Sequence, residues 1–159
     1  MTPASIPPGA GLRSGVVLVL AFAFAYFLSA LLRAVTATLA PVFSVELGLH
    51  GADLGLLAGA YFLGFASLQL PLGRALDRFG PRRVQLVLLS VAVVGCVAFA
   101  LARGLVSLSV ARLLIGMGVA ACLMAPLTCF RHVFDVTTQL RLNSWMLMTG
   151  SLGMVASTL

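Results

Sequence analysis

The run Gly73-Arg74-Ala75-Leu76-Asp77-Arg78-Phe79-Gly80-Pro81-Arg82-Arg83 decides how the rest of the chain is read. Five of its eleven residues are charged, four of them are arginine, and Asp77 is the only acid. It separates two apolar runs without a single charge, Leu54–Gly73 and Val84–Ala102. Each run is close to the ~20 residues that a helix needs to cross a bilayer. Gly73 allows close approach at the end of the first run, and Gly80-Pro81 is a turn signal. Arg82 and Arg83 then meet the membrane surface where the second run begins.

Runs of the same size lie on either side: Ser14–Leu32, Leu113–Phe130 and Leu142–Leu159. The first continues past Arg33 to Phe43, and the fourth begins before Arg112, near Leu105. The sequence therefore predicts helices over 14–43, 54–74, 84–102, 105–130 and 142–159. Composition agrees: 61% of the 159 residues are hydrophobic and 9% are charged, against about 25% charged in a soluble domain. So few charges cannot cover a water-facing surface, and lipid is the surrounding medium that fits. The fold class expected is an all-α integral membrane bundle with multiple passes.

Residues 1–12, rich in Pro, Gly, Ala and Ser, read as a mobile tail. The apolar run behind them is too long for the core of a cleaved signal peptide. The fifth run is still apolar at Leu159, with no basic or aromatic anchor after it. A fragment of a longer chain, stopping inside its fifth membrane helix, is the expectation.

Every basic residue is arginine, and the net charge is +6. Alternate connections carry Arg13, then Arg74, Arg78, Arg82 and Arg83, then Arg131 and Arg141, whereas the opposite side has Arg103 beside Glu46 and Asp53. Basic loops stay in the cytoplasm, so the N-terminus, the 75–83 connection and the 131–141 connection are predicted to be cytoplasmic, in a plasma membrane of the bacterial inner-membrane kind. Arginines spaced singly between apolar runs speak against nucleic acid as a partner. Cys96, Cys122 and Cys129 lie in apolar runs as small packing residues, with no metal or redox spacing. His50 and His132 stand far apart in predicted loops, and no metal or cofactor is expected. No run holds paired acids or a nucleophile beside a base, so an enzyme is not expected either.

Small residues recur where helices would touch. Gly55 and Gly59 form a small-xxx-small pair, Ala60 and Gly64 extend it, Gly116, Gly118, Ala120 and Ala121 crowd the fourth run, and Gly150 and Gly153 mark the fifth.

The charged run resembles the cytoplasmic signature of the major facilitator superfamily, G-x-x-x-D-R-x-G-R-R between helices 2 and 3. Gly73, Asp77, Arg78, Gly80, Arg82 and Arg83 match, and Pro81 is an added residue that shifts the spacing by one. Gln69-Leu70-Pro71-Leu72-Gly73 just before it is also similar to many members, and the resemblance covers nearly the whole chain after the tail. It implies the first four to five helices of a twelve-helix transporter, with the remaining helices as missing partners. It also implies that the connection is a conformational latch, in which Asp77 and Arg78 make contacts across the two halves that favour the outward-open state.

Arg33 and Arg112 fall inside apolar runs. An arginine at a helix centre costs about 2.5–3.5 kcal/mol on insertion scales, so each is a functional-site candidate by default. At helical spacing Tyr26, Ser29, Arg33 and Thr36 share one stripe of the first helix. Helix 1 of the superfamily lines the central cavity, and a cavity-facing arginine there often marks transporters of organic or inorganic anions. Arg33, with Tyr26 and Ser29, is therefore expected to bind an anionic group such as a carboxylate, for which a guanidinium offers bidentate geometry. The alternatives are pairing with an acid elsewhere, or snorkelling outward. Arg112-Leu113-Leu114-Ile115-Gly116-Met117-Gly118 resembles the helix 4 pattern of the family, whose arginine serves proton coupling or substrate binding in some members. Snorkelling to the outer interface is the competing reading for Arg112.

No Asp or Glu lies within the five apolar runs. A titrating carboxyl for proton coupling would have to lie beyond residue 159, or coupling would run through Asp77, Arg112 or the solute. The function expected is secondary transport of a small solute, an anion, by alternating access. The competing expectation is a small accessory membrane protein that assembles with partner chains through its glycine-bearing faces.

Overall fold

The computed structural model describes residues 11–158, with side chains from residue 15 onward. The tail up to residue 10, the side chain of Arg13 and Leu159 lie outside the described residues. Six helices follow one another: α1 (Gly11–Glu46), α2 (Gly51–Phe79), α3 (Pro81–Leu101), α4 (Leu105–Val119), α5 (Ala121–Val133) and α6 (Val136–Ala156). No strand occurs among the described residues. Helices suit an apolar medium because every backbone group within them is paired inside the segment. Serines on the helices follow the same rule: Ser67, Ser90, Ser109 and Ser151 donate to carbonyl oxygens three or four residues earlier.

Four segments are long and apolar enough to cross a membrane: Gly15–Glu46, Gly51–Phe79, Pro81–Leu101 and Leu105–Val133. The last combines α4 and α5, which are separated only by Ala120, itself in right-handed helical conformation. Here the Ala120 N–H bonds to the Met117 carbonyl three residues back, a tightened turn inside an otherwise continuous rod. The helix expected over 142–159 instead runs from Val136 to Ala156 and is not among the four segments, because Gln139, Arg141 and Asn143 lower its apolarity. Its early start has a local cause. Asp135 is its N-cap, and its carboxylate accepts from the backbone N–H of Thr137 and Thr138 at 3.1 and 3.2 Å.

Helix ends elsewhere follow similar local chemistry. The Asp53 carboxylate accepts from the His50 N–H at 2.9 Å and starts α2 at Gly51 rather than Leu54. Pro81 occupies the first position of α3, where its missing N–H is no loss.

The bundle is assembled by close backbone contact. α2 and α3 both pack on α4, and α1 packs chiefly on α6. Gly116 lies against the Tyr61 carbonyl and Gly64 against the Leu113 carbonyl, so α2 and α4 cross with a glycine on each side. Gly118 rests on the Ala92 backbone and Gly95 on Ile115, joining α3 to α4. Gly153 sits on the Phe27 carbonyl and Gly150 under the Tyr26 ring, joining α6 to α1. Gly55 and Gly59 differ from the expectation. They face open space among the described residues, because Gly64 and not Gly59 meets α4.

Candidate functional site

The predicted 75–83 loop is not a loop. α2 continues through Phe79, α3 begins at Pro81, and Gly80 alone connects them. Gly80 takes φ +81° and ψ 153°, a conformation that only glycine adopts readily. Its N–H bonds back to the Leu76 carbonyl at 3.0 Å, and its carbonyl accepts from the Val84 N–H at 3.3 Å. Gly73, Arg74, Asp77 and Arg78 thus ride on the last turns of α2, and Arg82 and Arg83 on the first turn of α3. Asp77, Arg78, Arg82 and Arg83 are all exposed. The Arg78 guanidinium lies over the Phe79 ring, 5.3 Å from its centroid. The helices outrun the apolar runs because arginine at a membrane interface is compatible with helix. Charge marks where the lipid core ends, not where the helix ends.

The second group of residues lies where α1, α2, α3 and α4 meet. Arg112 on α4 is 0% exposed. Its Nη1 donates to the Leu32 carbonyl oxygen of α1 at 2.8 Å, and its Cζ stands 4.6 Å from the centroid of the Phe99 ring of α3. Its Nε and Nη2 are enclosed without a hydrogen-bond partner. Arg112 therefore does not snorkel; it is held inside the bundle.

Arg33, one residue beyond Leu32, is half-buried. Its Cζ lies 5.7 Å from the Phe65 ring centroid of α2, and its Nε is enclosed and unpaired. Tyr61 of α2, 2% exposed, neighbours both arginines. Its hydroxyl neighbours Arg33, Ser29 and Arg112 without a hydrogen-bond partner among the described residues. Ser29 is 1% exposed. The fold thus brings Ser29, Arg33 and Arg112 around one tyrosine. Tyr26 borders the same apolar cluster, but its ring is seated against Gly150 of α6. The only contact within 4.0 Å between a carboxylate and a basic nitrogen among the described residues is Asp53 with His50 at 3.8 Å, and it involves neither arginine. No group of metal-binding side chains occurs among the described residues.

Sequence reading missed Tyr61, Phe65 and Phe99. Each sits in an apolar run, where an aromatic residue carries no sign of what its edge or hydroxyl meets on another helix.

Four apolar membrane-length helices, packed through glycines and turned at a basic glycine corner, define a multi-pass helical membrane protein. The family model for the Major Facilitator Superfamily matches residues 22–159, and the chain belongs to that family. A comparison with curated proteins gave no match.

Proposed function

We propose that this chain forms the first helices of a twelve-helix secondary transporter that carries a small anionic solute by alternating access. Arg33 is the primary contact for the solute, with Ser29, Tyr61 and Tyr26 lining its approach. The observation that carries this reading is a pair of buried donors without partners. Arg33 Nε and the Tyr61 hydroxyl are each enclosed and unpaired on neighbouring side chains, and no acid pairs with Arg33 among the described residues. Buried donors are normally satisfied. An oxyanion entering between α1 and α2 satisfies both, and guanidinium-to-oxyanion bonds are among the strong ones. Arg112, fully enclosed near Tyr61, supplies a second positive charge to the same site and braces α1 through Leu32.

The corner residues Gly73, Asp77, Arg78, Gly80, Arg82 and Arg83 form the latch that engages the other half of the transporter. The corner faces the cytoplasm, together with the N-terminus, in a bacterial inner membrane. The activity is transport rather than catalysis.

The test is uptake by the native product in membrane vesicles, with a panel of organic and inorganic anions. A hydrogen bond to a charged group contributes about 1.5–3 kcal/mol, so Arg33→Ala should raise KM for the transported anion at least ~10-fold. Arg33→Lys should lie in between. Unchanged affinity in Arg33→Ala would sink the proposal.

A further inference from the structure

α2 and α3 leave the Gly80 corner side by side, yet they touch each other far less than either touches α4. Between them lies an apolar cleft of about 460 Å³. Leu68, Ala75 and Phe79 form its α2 wall, and Val84 and Leu88 its α3 wall, with Arg83 at the corner end. From Leu68 to Phe79 the α2 wall runs eleven residues, about 16 Å at 1.5 Å per residue. The cleft therefore follows the two helices over that length, and the exposed Arg83 marks its corner end.

We propose that this cleft binds one anionic phospholipid, with an acyl chain laid between α2 and α3 and the phosphate on Arg83. Three features favour that occupant. The lining surface is wholly apolar, with Arg83 adding only its hydrocarbon stem, so the cleft takes a hydrocarbon chain and leaves charge outside it. The corner carries four arginines and one aspartate, a net +3, so it attracts a negative headgroup over a zwitterionic one. Arg78 stacks on Phe79, the α2 wall residue at the corner end, which sets a second guanidinium near that end of the cleft. Basic pockets between membrane helices are recognised sites for acidic headgroups. The site stands apart from the Arg33 cluster and does not depend on transport of an anion.

The experiment is native mass spectrometry of the native product in detergent, titrated with phosphatidylglycerol or with phosphatidylethanolamine of the same acyl chains. One phosphatidylglycerol should survive activation that strips phosphatidylethanolamine. Arg83→Gln should weaken its retention at least ~10-fold, and Arg83→Lys, which keeps the charge, should retain it within a few-fold. Ala75→Phe leaves Arg83 in place but fills the cleft, and it should also expel the lipid. Both weakened variants should keep the parent melting temperature, which separates loss of a site from loss of the fold. Equal retention of the two lipids overturns the proposal. So does full retention by Ala75→Phe, which would place the lipid on the surface charge alone. Retention unchanged in both Arg83→Gln and Ala75→Phe overturns it as well, and would assign the cleft to another helix of the protein.

Discussion

The guanidinium of Arg112 on α4 donates to the backbone carbonyl of Leu32 on α1 at 2.8 Å, one residue before Arg33. A charged side chain that costs energy to bury is thus bonded to the backbone immediately ahead of the residue proposed to meet the solute. The bond satisfies only part of its need, since Nε and Nη2 remain unpaired. Removing one buried charge that lacks a countercharge relieves a desolvation penalty, whereas leaving a void does not. Arg112→Met should therefore keep the melting temperature within the equivalent of about 1 kcal/mol, while Arg112→Ala should lose about 2–5 kcal/mol, as large-to-small core changes do. Thermal unfolding in detergent checks both. Equal losses in the two variants would mean that the Leu32 bond, not the volume, stabilises the crossing.

The glycines separate into two groups with opposite expectations. A Cβ on Gly116 meets the Tyr61 carbonyl and the Phe65 amide, both backbone groups that cannot swing away. Gly116→Ala should destabilise the protein by about 1–3 kcal/mol or more, the usual range for overpacking. Gly59 has open space around its Cβ position. Gly59→Ala should be neutral, or should stabilise by up to about 0.5–1 kcal/mol through helix propensity. Melting temperatures and expression levels measure the contrast, and a severe loss from Gly59→Ala would reveal a close neighbour outside the described residues.

Tyr61→Phe isolates a single hydroxyl. Because that group has no hydrogen-bond partner in a nearly closed site, its removal should leave stability unchanged or slightly improved. If the hydroxyl meets the solute, KM for the transported anion should rise about 3–10-fold, in line with a hydrogen bond of about 0.5–1.5 kcal/mol. A wild-type KM in a stable Tyr61→Phe protein would remove Tyr61 from the proposed site.

The N-terminus of α6 should respond to acid. The Thr138 hydroxyl and backbone N–H, with the Thr137 N–H, hold the Asp135 carboxyl below its ordinary value. A depressed carboxyl contributes stability above its unfolded pKa and loses it as pH falls through the lower folded value. The protection of amides in the first turn of α6, taken relative to the intrinsic exchange rate at each pH, should fall below about pH 4, the ordinary carboxylate range. Asp135→Asn, which keeps capping ability without the charge, should flatten that dependence. A pH profile identical in parent and Asp135→Asn would show that another group sets it.

Much of this architecture could be read in the residues themselves. Uninterrupted apolar runs gave the helices, Gly80-Pro81 gave the turn, and the run from Gly73 to Arg83 gave the family. Helix ends were harder, because they depend on single side-chain bonds such as Asp53 to His50 and Asp135 to Thr137, which hydropathy does not register. The interruption at Ala120 has Gly118 within its tightened turn, a glycine that reads equally well as a packing residue, and the nearest proline, Pro126, lies six residues on. Arg33 and Arg112 stood out because charge in an apolar run is conspicuous. Tyr61 did not, because its importance lies in neighbours contributed by α1 and α4. Gly55 and Gly59 show the reverse: a motif legible in one helix has no contact until a second helix is known to lie against it.

The corner at Gly80 has a mechanical consequence. A long loop between two helices works as a hinge with play, letting each rod tilt on its own. One glycine between rods of 29 and 21 residues gives no such play. The Cα atoms on either side of it stay chained at 3.8 Å steps. When the end of α2 swings, the first turn of α3 must be carried with it, so the two helices act as a bell crank with Gly80 at its elbow. Arg78 and Arg82 ride on opposite arms of that crank, and a displacement at one becomes a displacement at the other.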